Sequence, residues 1–115
     1  MRKHFRLSAE QIKPLAVGYG SCLASDRITV DGFRVGYMYR ETPDGSGDSG
    51  WRFFGGDESQ AYSDDPSHFA LYDVNTIANY DSAIIPLLSE PVGSAYGRDE
   101  LGQWLKESPP GDADS

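Results

Sequence analysis

The chain has 115 residues and 12.6 kDa, room for one domain, and 38% hydrophobic residues with 7 Tyr, 5 Phe and 2 Trp supply a core without disulfide or metal. Ten Lys and Arg against 18 Asp and Glu give a formal net charge of −8 and a pI near 4.5. That balance argues against a nucleic-acid binder, which carries a basic face, and against docking on anionic membranes. The lone Cys22 has no disulfide partner in the chain and suits a reducing compartment. The basic start, residues 1–6, is followed by no apolar core of a signal peptide, and the apolar runs are too short to span a membrane. The expectation is a cytoplasmic domain over residues 1–107 with a loose, acidic, Pro-containing tail over 108–115.

Ser8 and Gln11 stand at capping-box spacing, so a short helix is expected over residues 8–13, stopped by Pro14. Residues 16–24 are small, apolar and glycine-punctuated and read as a strand, with a turn at Ser25 and Asp26. Asp31-Gly32 is a hairpin signal. Beyond it Phe33, Val35, Tyr37 and Tyr39 alternate with Arg34, Gly36, Met38 and Arg40, the period of a half-buried strand with one aromatic face. Residues 41–50 form a polar connection. It resembles a calcium loop only in composition, because position twelve counted from Asp44 is Gly55, where the closing Glu belongs.

Residues 51–54 make a short central strand ended by Gly55 and Gly56, and residues 57–65 are an acidic, mobile loop. Residues 68–72 fit a strand or the end of a turn. Asp73 is an N-cap for a helical turn over 74–80, and Asp81 is a second one, heading a helical stretch that Pro86 kinks or breaks. Ile84, Leu87 and Leu88 keep helical spacing and should bury together. Residues 91–96 look like a return strand, and residues 101–105 bring Trp104 to the core as strand or helical turn. Strands first and helical turns later predict an α+β domain, a mainly antiparallel sheet with short helices.

Chemistry is scarce. Cys22, between Ser21 and Leu23, reads as a small core residue; a thiol nucleophile would need His4 or His68 beside it. A carboxylate pair for hydrolysis drawn from Asp57, Glu58, Asp64 and Asp65 would need rigid placement that a loop does not supply. His68 with Asp64 or Asp65 lacks metal-ligand spacing. Gly45, Gly47 and Gly50 lack the Lys and helix start of a phosphate loop. No catalytic, cofactor-binding or metal-binding residue is assigned. The candidates for partner contact are Trp51, Arg52, Asp57, Glu58, Asp64 and Asp65. Trp and Arg are common interface anchors and the carboxylates suit a basic partner. The competing reading buries Trp51 with Phe53 and pairs Arg52 with a carboxylate on the other face. Asp73, Asn75, Asn79 and Asp81 read as caps and loop ties, or as a polar recognition site.

Several runs together resemble one family. They are Gly50-Trp51-Arg52-Phe53-Phe54, Gly56-Asp57-Glu58, the stretch from Tyr72 through Asn75 and Asn79 to Asp81, Pro86-Leu87-Leu88 and Pro91-Val92-Gly93-Ser94-Ala95. Cys22-Leu23-Ala24-Ser25-Asp26-Arg27 and Val35-Gly36-Tyr37-Met38-Tyr39-Arg40 fit the same pattern. Over residues 18–98 the chain is similar to the immunity protein 33-like family, small bacterial domains of polymorphic toxin systems. The resemblance implies a non-enzymatic cytosolic binding protein that neutralises a cognate bacterial toxin by direct binding, with no cofactor. The chain's acidity suits a toxin that is basic. The alternative is a stand-alone interaction or regulatory module without a toxin partner.

Overall fold

Alternation of apolar and polar positions sets the architecture, and the computed structural model describes residues 3–109 of it. The expected tail therefore lies, from residue 110 onward, outside the described residues. Strands β1 (Ser21–Ser25), β2 (Tyr37–Arg40), β3 (Asp48–Phe54), β4 (Phe69–Asp73), β5 (Ala95–Arg98) and β6 (Trp104–Glu107) build one sheet in the order β4-β1-β3-β2-β5-β6. β1 and β3 run parallel; the other four pairings are antiparallel. The fold is α+β with a mainly antiparallel sheet, as expected. β3 is central, and the polar connection before it closes the β2–β3 hairpin.

Among the described residues three short α-helices accompany the sheet: α1 (Asp26–Thr29), α2 (Gln60–Ser63) and α3 (Val74–Tyr80). Both expected caps are in place. Asp73 accepts the Asn75 N–H at 2.8 Å to start α3, and Asp81 accepts the Ala83 N–H at 3.1 Å to start a 3-10 helix, Ser82–Leu87. Pro86 sits inside that tighter helix, the form its break takes. Val74, Ile77 and Ala78 fall at i, i+3 and i+4 on α3 and are fully buried with Ile84 and Leu88. They pack in one cluster with Cys22, Ala24, Met38, Trp51 and Phe53 from the sheet. Each large side chain so buried contributes roughly 1.5–3 kcal/mol of transfer free energy. Leu87 is only partly buried against this cluster.

Several expected elements change form for local reasons. The helix over 8–13 shrinks to a 3-10 turn, Ala9–Gln11, in which the Ser8 N–H donates to Gln11 Oε1 at 2.8 Å. The strand expected from residue 16 starts only at Ser21. Asn75 Oδ1 accepts the N–H groups of Leu15 and Ala16, both at 2.7 Å, and so holds that backbone as a loop instead of a ladder. Asn79 Nδ2 donates to Lys13 O at 2.8 Å, the loop tie read from the sequence. Ser25 heads a helix rather than a turn, because its hydroxyl accepts the Arg27 N–H. Asp31-Gly32 then closes α1 instead of turning a hairpin. Gly32, at φ +81°, donates its N–H to Ile28 O at 3.2 Å, an end that favours glycine's left-handed freedom.

The strand expected from Phe33 begins at Tyr37, because the Val35 N–H goes to the Asp81 carboxylate at 2.9 Å. Val35 and Met38 both turn into the core, while Tyr37 and Tyr39 face away. Residues 91–94 turn rather than extend, and the return strand is β5. Residues 57–65 are not a bare loop either. Ser59 caps α2 through the Tyr62 N–H at 3.1 Å, and Asp65 caps the 3-10 turn Pro66–His68 through the Ser67 N–H at 3.0 Å.

Two glycines separate backbone need from side-chain space. Gly50 sits at φ +88°, and a Cβ there would lie 2.3 Å from the Glu41 carbonyl oxygen. At Gly97 the obstacle is the carboxylate tip of the edge residue Glu107, which can swing aside. Gly50→Ala is expected to lose about 2 kcal/mol in urea unfolding, within the usual cost of strained backbone. Gly97→Ala should stay under about 1 kcal/mol.

Candidate functional site

Helices and loops bury one face of the sheet; the other is covered less, its inner residues half-buried. Leu23, Phe54, Phe69, Tyr37 and Tyr39 point to this less covered face, by alternation with the buried Cys22, Phe53 and Met38. Leu71 and Leu105, on the two edge strands, are 73% and 51% exposed. Cross-strand register brings the rings together: Tyr37 opposes Phe54 and Tyr39 opposes Arg52. The Tyr39 and Phe54 rings stack at 5.8 Å, Tyr37 lies 5.9 Å from each, and Phe69 meets Phe54 edge-on at 5.6 Å. Such contacts are worth about 0.5–1.5 kcal/mol each beyond area burial.

These side chains floor a groove of about 640 Å³ whose wall is the β3–β4 crossover, with Glu58, Gln60, Ser63, Asp64 and Pro66. The wall is fixed by local bonds. Glu58 accepts the N–H groups of Gly55 and Gly56 through its two oxygens, at 2.7 and 2.9 Å. Asp64 accepts from Gln60 Nε2 at 2.7 Å. Behind the wall Arg27 lies 5.0 Å from the Tyr62 ring centroid and reaches Asp31 and Asp57, each at 3.3 Å. Tyr62 stacks on His68, whose Nδ1 meets Tyr62 O at 2.8 Å. The Ser67 hydroxyl and N–H hold the exposed Asp65 carboxyl below the usual carboxylate range. Burial pushes the Tyr37 and Tyr39 hydroxyls up, reinforced by Glu107 and Glu41 respectively, so both rings are neutral near pH 7.

The structure sorts the candidates into two sets. Glu58 and Asp64 line the groove, while Asp57 and Asp65 flank it on the same crossover. Trp51 is fully buried on the opposite face, its indole Nε1 donating to Leu88 O at 3.1 Å. Arg52, 7% exposed, is clamped by Asp48 at 3.0 and 2.8 Å and by Glu41 at 2.6 Å. Trp51 therefore packs in the core with Phe53, and Arg52 pairs with carboxylates on the other face beside Leu23 and Tyr39, the competing placement weighed in the sequence. Asp73 and Asp81 act as caps, and Asn75 and Asn79 tie the N-terminal loop. Cys22 is wholly buried and burial pushes its thiol up, so it is a packing residue. Among the described residues no three His, Cys, Asp or Glu side chains converge to hold a metal ion.

Sequence reasoning missed the floor: Leu23, Tyr37, Tyr39, Phe54 and Phe69. The available signal was an aromatic at 54, which in a strand must face away from Trp51 and Phe53. Aromatics on both faces of one strand leave one set for something other than the core.

A family model described as an Immunity protein Imm33 domain matches residues 22–108. The match takes in all six strands bar Ser21 and, unlike the resemblance over 18–98, includes β6. No curated protein and no solved structure matches the chain.

Proposed function

This chain belongs to the Imm33 immunity protein family, and on that premise we propose that it is a non-enzymatic binding protein that neutralises a bacterial toxin by direct contact, in the cytoplasm. The observation that carries the reading is the less covered sheet face with its aromatic groove and acidic wall. A concave, half-buried aromatic floor on a face that also exposes Leu71 and Leu105 suits the docking of another protein. Among residues 57–65 there are four carboxylates and no Lys or Arg, so the wall favours a basic partner and speeds its encounter. Many toxins that act on nucleic acid need a basic cleft to hold phosphates, and an acidic surface laid over that cleft would block it.

The acidic side chains of Asp57, Glu58, Asp64 and Asp65 around the groove are our proposed contact residues. Trp51, buried in the core, and Arg52, held by Asp48 and Glu41, support that sheet from within. No helix among the described residues is long and apolar enough to cross a membrane.

Co-expression with toxin genes encoded beside this one tests the reading. Growth rescue together with a co-purifying complex is expected. The double reversal Glu58→Lys with Asp64→Lys should slow association by about tenfold or more at low salt, because like charges then face the basic partner. Absence of both rescue and complex with every neighbouring toxin would sink the proposal.

A further inference from the structure

We propose that the groove receives one basic side chain of the protein partner, an arginine or lysine flanked by apolar residues, its aliphatic stem on the aromatic floor and its cationic head between Glu58 and Asp64. This rests on the reading of the chain as a protein-binding domain and adds the chemistry of the contact.

The charges around the sheet separate into neutralised and open ones. Asp57 faces Arg27, while Glu41 and Asp48 hold Arg52. Glu58 and Asp64, the two carboxylates that line the groove, have no cationic partner among the described residues. Glu58 is also oriented in advance, because two backbone N–H groups grip its oxygens. A group fixed before binding loses little freedom on binding.

The floor decides the shape of the guest. It is apolar, from Leu23, Phe54 and Phe69, with the rings of Tyr37 and Tyr39 alongside. A purely apolar guest would take water from the two carboxylates and bring them no counter-charge, which is costly. A small cation would leave the floor unfilled. Long basic side chains satisfy both halves, since their stems are apolar and their heads charged. A cation close to an aromatic face is attracted to the ring as well. The molecule already contains this arrangement behind the same wall, where Arg27 lies over Tyr62 and reaches Asp31 and Asp57.

The test is a titration of the full isotope-labelled chain, followed by amide NMR shifts. One probe is a blocked tripeptide with arginine between two leucines; the other has glutamine in place of arginine. The arginine peptide should move the amides of Leu23, Tyr39, Phe54, Glu58 and Asp64, with a Kd in roughly the millimolar range. The glutamine peptide should bind about tenfold more weakly, and raising the salt should narrow the gap. Glu58→Gln with Asp64→Asn keeps the acceptors near the glycine N–H groups and removes the charge, so it should abolish the preference. Equal binding of both peptides, shifts confined to other surfaces, or no shifts would overturn the inference. So would groove shifts that follow protein concentration alone, the mark of a second copy in the groove. Toxin rescue without peptide preference would remove this inference and leave the proposed function standing; peptide preference without any toxin complex would do the reverse.

Discussion

Asp48→Ala is expected to destabilise the fold by about 3–5 kcal/mol, the range for stripping one partner from a buried ion pair. Arg52 sits in the central strand with 7% of its surface exposed, and both of its terminal nitrogens donate to Asp48. Its other partner, Glu41, is half exposed and cannot replace a buried counter-charge. Asp48 also accepts the N–H groups of Asp44 and Gly50, at 2.9 and 3.0 Å, so the same carboxylate closes the hairpin. If the cost is an orphaned charge, Asp48→Ala combined with Arg52→Met should be less destabilising than Asp48→Ala alone. The guanidinium holds the Asp48 carboxyl well below the usual carboxylate range, and Asp48 holds Arg52 above its own. A depressed folded-state value gives stability that is complete above the unfolded carboxylate value, about 4, and lost as the pH falls below it. Urea midpoints from neutral pH down to about pH 3 should therefore fall for the wild type, and its gap from the double variant should narrow. A gap that stays constant with pH would remove Asp48 as its source.

Features set by neighbours in sequence were legible, and those set across the sheet were not. Asp73 and Asp81 could be named as caps because a cap acts two residues ahead. The burial of Val74, Ile77 and Ala78 follows from spacing alone, as does the inward turn of Trp51 with Phe53. The parallel pairing of β1 with β3 has no local sign, because the partners lie far apart in the chain and the chain passes through β2, on the far side of β3, before it returns to pair. The exchange of faces between Val35 and Met38 was hidden for a related reason. It depends on the Val35 N–H bonding Asp81, 46 residues away. The groove is further removed still, since its floor is drawn from four strands and its wall from the crossover. What the sequence did carry was the chemistry of the wall, in Glu58 and Asp64. For Trp51 and Arg52 it left both a contact and a packing reading open, because strand alternation places residues on faces without saying which face is covered.

The same dependence on distant partners makes Asp81 the second position of large effect. Asp81 Oδ2 accepts the Val35 N–H at the entry to β2 and pairs with the guanidinium of Arg98 on β5, while Oδ1 caps the 3-10 helix. The Asp81 and Arg98 side chains are 10% and 9% exposed, so water cannot take over for either. Asp81→Ala should cost about 3–5 kcal/mol in urea unfolding. Asp81→Asn retains an acceptor but no charge, and should lose about 2 kcal/mol, the worth of a charged hydrogen bond. Arg98 keeps the Val35 and Gly102 carbonyls, at 3.0 and 3.1 Å, and its place over Trp104, so the fold should survive both changes. Hydrogen exchange locates the damage. The amides of Val35 and Ala83 should lose more protection in Asp81→Ala than those of Leu23 or Phe53, because their acceptor is gone while the central ladder remains. Uniform loss of protection across the sheet would mean that Asp81 acts through global stability alone, and its role as the tie between β2, β5 and the 3-10 helix would fall.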